Sequence, residues 1–428
     1  MDTNGWHTVA AVTYNYLNTS IRAGASWPAN FAQAAPDNSA SATGVFSDWS
    51  LTTGGDGPNL SMQISLTGGS ITGPFARPPQ SGNVTLPVQA CAFPVSVVAK
   101  FIPHTGSQTL HDLVLATDQP VTVGTQTGPS PTGNFLADAA FRQLLQDWLK
   151  VNLDKFNVLF ASVVLDAAYA QAGLAWLKPA YKGYAVIEPP SGATTANSVF
   201  AVLCLIDGAA PPSNLAYAVS PQAIPSGATG AFLVSSDKVI QHMLLPAMPL
   251  LFEGMANDPP SAHFAIDNAG TRIRNLQDVT VPSVQLDGGT TVEPSITASN
   301  FTVQLDVAEL QIQVEDMTFE STPGVVIHLN YFGRQTIALD KTKGVLVLNT
   351  TQETSDGSVT VTQGLQILEY AMAALSVFSA AASGCGKLVS SAALESIEGS
   401  SAVIQGAEAI GEDPEVAQQT TLSALRGL

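Results

Sequence analysis

The stretch Ser235–Phe252, which reads SSDKVIQHMLLPAMPLLF, constrains the fold more than any other part of the chain. Ser236 and Asp237 suit the start of a helix, and apolar residues then recur at helical spacing. From Met243 to the end of the stretch every residue is apolar or proline, so it offers solvent no polar face. It is too short to cross a bilayer, which needs roughly 20 apolar residues. We therefore expect a rod, defined here as Ser235–Phe252, that the rest of the chain encloses on all sides.

Two prolines interrupt this rod. Pro246 and Pro249 lie inside it, and a proline within a helix costs about 3 kcal/mol because it removes a backbone donor and clashes with the preceding turn. The sequence therefore predicts that the rod kinks or ends at these residues. The simplest interpretation is an ordinary core helix, since large apolar side chains are most often buried.

Alternating apolar residues predict long, bent strands on both sides of the rod. Residues 60–66 alternate strictly, and the phase shifts by one residue after Ala90. A second run starts in odd phase at Phe301, becomes even at Leu310 and returns to odd at Met317. Each shift marks a bulge or a turn, because alternation assigns one face to the interior, and bulges bend a sheet. Further strands are predicted at 84–88, 156–165, 184–187, 199–206, 231–234, 325–331, 335–339 and 345–349.

Three more helices are predicted, at residues 4–24, 134–151 and 363–382, where apolar residues recur every three or four positions. The segment 26–59 contains many Gly, Pro, Ser and Asp residues and is predicted to be loop. The chain thus alternates helices with groups of strands.

The helices also repeat along the chain. Trp6 and Val239 lie about 230 positions apart, and so do Asn134 and Gln363, which indicates two related halves. The tail is rich in Ala, Ser, Gly and Glu and is expected to form small helices or a flexible arm. The predicted domains are 1–234, 235–382 and the tail, 383–428.

The charge of the chain limits its partners. Charged residues make up 12% of the sequence, against roughly 25% in an average protein, and the net charge is −18. Between Met1 and Phe141 the only cations are Arg22, Arg77 and Lys100. Because binding to a phosphate backbone depends on clustered Lys and Arg, nucleic acid is not an expected partner. Electrostatic adhesion to an anionic membrane is disfavoured for the same reason.

Cysteine usage and the N-terminal residues bear on location. Cys91, Cys204 and Cys385 are odd in number and far apart, which fits free thiols in a reducing compartment, although a bridge between the first two is an alternative. The N-terminal residues MDTNGWHTVA show no basic start and no apolar core. We therefore expect a cytoplasmic protein, or one secreted without an ordinary signal peptide.

A stable transmembrane span is not expected either. The apolar segment Gln363–Ala382 is interrupted by Glu369, and a charge near mid-span costs about 2.5–3.5 kcal/mol on insertion scales. A helix packed within the second half is the favoured interpretation.

Motifs that would indicate catalysis or metal binding are missing from the sequence. His104 and His111 have no companion carboxylate at ligand spacing, and neither a His-Glu-x-x-His motif nor a Gly-x-Ser-x-Gly elbow occurs. Asp306, Glu315 and Asp316 lie on predicted alternating strands, where a solvated face is a better interpretation than an acid–base pair. The sequence thus predicts neither an enzyme nor a resident cofactor or metal.

Three blocks of residues nevertheless form a recognisable pattern. The blocks are Thr3–Val9, with Asn18 and Ile21 after it; Phe46–Trp49 followed by Gly54–Leu60; and Met243–Pro249. Together they resemble a known family, the clostridial 47-kilodalton accessory proteins encoded beside certain botulinum neurotoxin genes. That family usually has an acidic residue where His7 stands in this chain.

The resemblance implies a fold and two candidate functions. The family belongs to the tubular lipid-binding (TULIP) superfamily, so we expect an α+β, β-dominated fold with two TULIP-like units. Each would be a long, highly curved antiparallel sheet wrapped around long apolar helices. One implied function is to bind or carry a lipid or another apolar small molecule in a hydrophobic tube. The alternative is a ligand-free structural or interaction component of an assembly with co-encoded toxin-cluster proteins.

Candidate ligand-facing residues follow from apolarity and position alone. Each CH₂ group sheltered from water contributes about 0.8 kcal/mol, so an apolar tube holds an acyl chain without any catalytic group. The same residue types also fill a solid core, and the sequence does not separate the two cases. The candidates are Leu17 and Ile21 on the first helix, and Met243, Leu244 and Met248 on the rod.

Overall fold

The structure is a computed structural model. It describes residues 3–361 and 402–403, except for 26, 77–80, 107–109, 165–175, 177, 268–269, 286–290, 307–308 and 341–344. The described residues form two compact units: the first unit comprises the residues up to Leu233 together with 402–403, and the second unit begins at Val234. The predicted helix 363–382, and all of the tail except residues 402–403, lie outside the described residues. Strands dominate and curl as antiparallel sheet, which confirms the β-dominated α+β class. That each unit is TULIP-like stays a prediction.

Within the described residues, the first unit contains two sheets and two α-helices. Its strands are β1 (Thr8–Thr13), β2 (Asn30–Ala34), β3 (Ser41–Leu51), β4 (Asn59–Gly73), β5 (Val84–Val88), β6 (Cys91–Pro103), β7 (Leu110–Leu115), β8 (Thr122–Val123), β9 (Leu159–Val164), β10 (Pro179–Ile187), β11 (Val199–Ile206) and β12 (Gly230–Val234). Its helices are α1 (Tyr14–Gly24) and α2 (Phe135–Asn152), the latter followed by a 3-10 turn at Leu153–Lys155.

The larger sheet of the first unit has the order β2-β3-β4-β6-β7-β9, and the short strand Ala402–Val403 extends it beside β9. Strand β5 pairs with β4, and β8 pairs with β6. The smaller sheet has the order β10-β11-β1-β12. One continuous core includes residues of both helices and both sheets.

The prediction of a helix from residue 4 is wrong for its first half. Thr8–Thr13 is strand β1, which pairs in register with β11 from Thr8 opposite Cys204 to Thr13 opposite Val199. All six residues of β1 are buried, so neither face shows the polar positions that would distinguish a strand from a helix. Thr13 then caps α1, since its hydroxyl accepts the N–H of Tyr16 at 3.3 Å.

The predicted loop 26–59 is also wrong, because it contains β2 and β3. Small residues occupy inward positions of β3 and conceal its alternation: Ala42 is buried, and a Cβ on Gly44 would lie 2.4 Å from the ring of Phe31. The polar residues between them are the exposed half of an ordinary two-faced strand.

The predicted phase shifts have structural counterparts. The shift after Ala90 separates β5 from β6, so it is a break between strands. In the second unit the first shift is the connection between two strands, and the second is a bulge at Glu315 and Asp316, where the pairing register changes between Val314 and Met317.

The second unit combines the rod with a larger sheet and a small ribbon. Its strands are β13 (Phe264–Asp267), β14 (Arg272–Asn275), β15 (Val279–Thr280), β16 (Val284–Gln285), β17 (Thr291–Val292), β18 (Ser295–Ile296), β19 (Phe301–Asp306), β20 (Glu309–Thr322), β21 (Val325–Asp340) and β22 (Val345–Val361). The sheet order is β13-β14-β19-β20-β18-β15, β21 pairs with β20 and β22, and β16 pairs with β17. A short helix, Pro260–His263, precedes β13.

The rod is helical but changes pitch three times. It does not end at Pro246 or Pro249, since helical turns contain both residues, and a kink at these residues stays a prediction. The rod consists of α-helix at Ser236–Val239, π-helix at Ile240–Leu244, α-helix at Leu245–Ala247 and 3-10 helix at Met248–Leu251. A π-helical turn spans i to i+5 and appears mostly as a single turn inserted into a helix.

The prediction that the rod is enclosed on all sides is wrong. One stripe is buried, and the opposite side keeps Pro246 exposed and Leu250 49% exposed. A helix that packs by one stripe leaves the other side to solvent whatever its composition. The buried stripe is Ile240, Met243, Leu244, Ala247 and Met248.

Candidate functional site

The described side chains of both sheets and both helices pack together in the interior of the first unit. Leu17 and Ile21 are fully buried members of its core. Aromatic rings of β2, β3, α2 and the segment before β9 lie in mutual contact, with neighbouring centroids 5.5–5.8 Å apart among Phe31, Phe141, Phe46 and Trp148. These rings contribute dispersion and burial to that core. Leu17 and Ile21 are thus core residues, and their role as ligand contacts stays a prediction.

The three candidate residues on the rod are also buried. Met243, Leu244 and Met248 lie on its inner stripe, and the end of the rod continues into a cluster in which Phe252 contacts Phe264 and Phe301. The structure brings these candidates together on one face, and whether that face contacts a ligand stays a prediction.

The Gly54-Gly55 block has a structural role. Both backbone N–H groups donate to Oε1 of Glu188, at 2.8 and 3.0 Å, and so tie the loop after β3 to the end of β10. A Cβ on Gly55 would lie 2.8 Å from the carbonyl oxygen of Asn59, which leaves no room for a side chain. Burial and the neighbouring Glu188 raise the pKa of the Tyr14 phenol.

Three residues of a hydrolase-like set meet, one on β7, one on β9 and one just after β6, but in a different order. The Asp112 carboxylate accepts from the Ser162 hydroxyl at 2.7 Å and lies 2.7 Å from Nδ1 of His104. In a nucleophilic triad the histidine stands between the hydroxyl and the carboxylate, because it must accept the hydroxyl proton. Here the carboxylate stands between them, so this cluster does not activate Ser162.

The start of α2 displays two bare apolar side chains, Phe135 and Leu136, which are 79% and 60% exposed. Its backbone is held firmly. The side chain of Asn134 accepts the N–H groups of Leu136 and Ala137 at 3.0 and 3.3 Å. The buried Asp138 accepts from the Ser130 hydroxyl and from both the N–H and the hydroxyl of Thr132.

A polar row crosses the outer face of the large sheet in the second unit. It runs in register over five strands, from β14 through β19, β20 and β21 to β22. The neighbouring residues on each strand point into the core, for example Ile273, Val303 and Tyr331. The row is Arg274, Thr302, Gln313, Phe332 and Thr354.

Two adjoining clefts flank this row and share Asn300, Gln313 and Glu315. They enclose about 690 and 400 Å³. The larger is otherwise lined by Val314, Asp316, Asn330, Tyr331, Phe332 and Thr354, and the smaller by Asp267, Arg272, Arg274, Ser299 and Thr302.

Opposite charges are paired around these clefts. Arg272 donates from Nε and Nη2 to the two carboxylate oxygens of Asp267, at 2.8 and 3.1 Å, and Arg274 Nε lies 3.2 Å from Asp267 Oδ2. These guanidinium groups lower the pKa of the Asp267 carboxyl. Beside the larger cleft, Asp316 Oδ1 lies 2.6 Å from Nδ1 of His328.

The bulge shapes the larger cleft. Asp316 has a positive φ of 52°, and its N–H donates to Oδ1 of Asn330 at 2.8 Å. Gln313 Nε2 donates to Glu315 Oε1 at 2.7 Å. The alternation of the sequence predicted that Glu315 and Asp316 lie on a solvated face, and both residues are exposed. Their polar neighbours on β14, β19 and β21 were missed, because strand pairing brings together residues far apart in the chain.

The described residues contain no group of three or more His, Cys, Asp and Glu side chains placed to hold a metal ion. Within the same part of the chain, none of the helices combines the length and apolarity that crossing a membrane requires. Cys91 and Cys204 are free thiols, and burial raises the pKa of Cys204 to about 12. Cys385 lies outside the described residues.

Comparison with known proteins identifies the family. The model of the OrfX-like family, described as protein OrfX2/OrfX3/P47, matches residues 3–416. Protein OrfX3 of Clostridium botulinum (strain Kyoto / Type A2) is 24% identical over 413 residues, covering 85% of this chain and 81% of the relative. Protein OrfX3 of Paraclostridium bifermentans is 25% identical over 346 residues, covering 73% and 68%.

The fold agrees with the same assignment. The structure of P47 from Clostridium botulinum A2 has a TM-score of 0.64 to this chain at 16% identity, covering 91% of this chain and 88% of that one. At this identity the likeness concerns the fold alone. Since the family model spans nearly the whole sequence, the chain belongs to the OrfX-like family of OrfX2, OrfX3 and P47 proteins, which are accessory proteins of toxin gene clusters.

Proposed function

We propose that this chain acts without catalysis, as an interaction component that docks onto another protein encoded in its gene cluster. The observation that carries the proposal is the pair Phe135 and Leu136, displayed bare on a firmly held helix start. The membership of the chain in a family of accessory proteins supports it.

The energetic argument concerns burial and preorganisation. Fully burying a Phe or Leu side chain contributes about 1.5–3 kcal/mol relative to leaving it exposed. The hydrogen bonds of Asn134 and Asp138 fix the backbone that carries the pair before any partner arrives. Less conformational entropy is then lost on binding, and aromatic anchors of this kind dominate interface energetics.

Charge indicates the type of partner. With a net charge of −18, this chain repels other acidic proteins and attracts basic ones over distances comparable to the Debye length. We therefore infer a partner that offers an apolar pocket surrounded by Lys and Arg. Complementary charge of this type raises the association rate more than it raises the affinity.

Affinity purification of the tagged, full-length chain from its native host tests this function. Wild-type protein is expected to recover a neighbouring gene product at fixed stoichiometry. The double variant Phe135→Asp/Leu136→Asp should lose it, because two charges replace the anchors. Val151→Asp is the matched control: Val151 lies at the other end of α2, is 75% exposed, and should leave recovery unchanged.

Recovery of the wild-type chain alone, at native concentration, would contradict the proposed function. Equal recovery by wild type and by the double variant would reject this pair as the anchor. Because all three residues are strongly exposed, the variants should retain the wild-type circular dichroism spectrum.

Carriage of a lipid or another apolar ligand is a second candidate function. One observation favours it: the rod presents Leu250 half exposed beside turns of irregular pitch, and π-helical turns are frequent at functional sites. Protein purified under native conditions should then yield lipid in an organic extract, measured by mass spectrometry. Leu250→Asp should abolish that yield, whereas Val45→Asp, an equally exposed position on β3, should not.

A further inference from the structure

The outer face of the second unit contains a surface of a different chemistry from the start of α2. Its two adjoining clefts are lined mainly by side chains that end in planar polar groups: amides, carboxylates and guanidinium groups. Such groups place hydrogen-bond donors and acceptors in fixed directions. Hydroxyl groups of Ser299, Thr302 and Thr354 add positions that both donate and accept.

The formal charges at the site nearly cancel, with two guanidinium groups against three carboxylates, and this balance favours a ligand without strong net charge. Asp267 holds both Arg272 and Arg274, Asp316 contacts the imidazole of His328, and Glu315 accepts from the amide of Gln313. A strongly charged ligand would have to displace one of these partners, and groups already paired bring little net attraction to a new charge. A neutral ligand rich in hydroxyl groups exploits the same side chains without breaking the pairs.

An aromatic residue lies within the polar row. Phe332 stands directly opposite Gln313 on one side and Thr354 on the other, and the guanidinium of Arg334 lies 5.4 Å from its ring centroid. The cation–π contact orients the ring. An aromatic surface between an amide and a hydroxyl suits a sugar ring, which offers an apolar C–H face and hydroxyl groups at its edge.

The dimensions suit an oligosaccharide. Sites for small molecules enclose about 300–1,000 Å³, and the larger cleft, at about 690 Å³, falls within this range. The row crosses five neighbouring strands, which at about 4.8 Å between strands spans roughly 19 Å. The smaller cleft continues the larger one past Gln313 toward β14, so a chain of more than one sugar unit has room.

We propose that this joined cleft binds a neutral oligosaccharide, with Gln313, Asn330 and Glu315 as hydrogen-bonding groups and Phe332 as the stacking surface. The proposal is independent of the docking function, because it concerns the second unit and a ligand of another class. A basic peptide is the alternative that the carboxylates Glu315 and Asp316 would favour.

Saturation-transfer NMR on the full-length chain tests the proposal with four disaccharides: lactose, cellobiose, chitobiose and mannobiose. At least one is expected to receive saturation, with a dissociation constant near 1 mM, which corresponds to about −4 kcal/mol. Gln313→Ala and Phe332→Ala should each weaken that binding about tenfold or more.

Gln311→Ala is the matched control. Gln311 lies two residues before Gln313 on the same strand and face, but it lines neither cleft. It should leave binding unchanged, and all three variants should show the wild-type melting curve within a few degrees.

Three results would overturn the proposal. One is the absence of saturation transfer to all four disaccharides. A second is binding that Gln311→Ala weakens as much as Gln313→Ala does. The third is binding of a Lys-Gly repeat hexapeptide in competition with every disaccharide that responds, together with loss of peptide binding in Glu315→Gln.

Discussion

Helix α2 in the first unit and the rod in the second unit both pack an apolar stripe into a β-sheet environment, but they are held in different ways. Along α2, Phe141 and Trp148 insert into a continuous set of rings from Phe31 to Phe156. The rod is tied into an aromatic cluster at its C-terminal end, where Phe252 meets two rings. The α2 stripe is therefore fixed along its length by ring packing, and the rod combines a buried stripe with a half-exposed side.

The two units also differ in where their candidate binding surfaces lie. In the first unit, the interior is occupied by its own side chains, and the unexplained features lie on the surface at the start of α2. In the second unit, they are the exposed side of the rod and the clefts on the outer face of the sheet. The surfaces available for binding therefore lie on a helix start in the first unit, and on the rod and the sheet in the second unit.

The largest expected effect tests the claim that ring packing fixes α2. Phe141→Ala removes a fully buried ring that contacts Phe31 and Phe93, with centroids 5.5 and 6.0 Å away. We expect the free energy of unfolding to fall by about 3–5 kcal/mol, because a cavity remains. Chemical denaturation followed by tryptophan fluorescence measures it, since all five Trp residues precede Val234.

Phe135→Ala is the control on the same helix. Its side chain is already exposed, so its removal should change the free energy of unfolding by no more than about 0.5 kcal/mol. Similar losses for the two variants would show that ring packing does not distinguish the inner face of α2 from its outer face.

The next largest effect compares the buried stripe of the rod with its exposed side. Leu244→Asp places a carboxylate on the buried stripe and is expected to destabilise the fold by about 3 kcal/mol or more. Leu250→Asp places the same group on the exposed side and should cost less than about 1 kcal/mol. Thermal melting followed by circular dichroism compares them, and equal midpoints would contradict one-sided packing.

The pattern of the sequence predicted strand β11 better than it predicted the first helix. Strand β11 was predicted with its observed limits, because Val199–Ile206 is apolar throughout and bounded by polar residues. Strand β1 was predicted as helix, because burial on both faces removes the period that distinguishes the two structures. The boundary between β1 and α1 depends on the pairing of β1 with β11, which is a tertiary contact.

The candidate sites were harder to predict, again for a physical reason. Apolar residues such as Leu17 and Met248 were correctly placed inside, but the same chemistry serves a filled core and a ligand tube. The outer-face cleft joins Arg274 on β14 to Thr354 on β22, 80 positions away in sequence, through the register of five strands. Exposed polar residues have no local signal that distinguishes such a juxtaposition from ordinary solvation.

The smallest effect uses pH to test the outer face of the second unit. Arg272, and then Arg274, lower the pKa of Asp267 in the folded chain. A lowered folded-state pKa means that the ion pair stabilises the fold above the unfolded-state pKa of about 4 and loses this contribution as the pH falls through the folded-state value. Asp267→Asn should therefore lower the free energy of unfolding by up to about 1 kcal/mol at pH 7, a limit set by the exposure of the pair.

The difference between wild type and Asp267→Asn should shrink as the pH is lowered from about 5 through the folded-state pKa of Asp267, below which both side chains are uncharged. Urea denaturation at several pH values measures it, with Asp306→Asn, an exposed carboxylate at the end of β19, as the matched control. A difference that stays constant over this range would mean that Asp267 contributes through packing and not through its charge. Arg272 and Arg274 would then be available to an anionic ligand, which would count against a neutral ligand in the cleft.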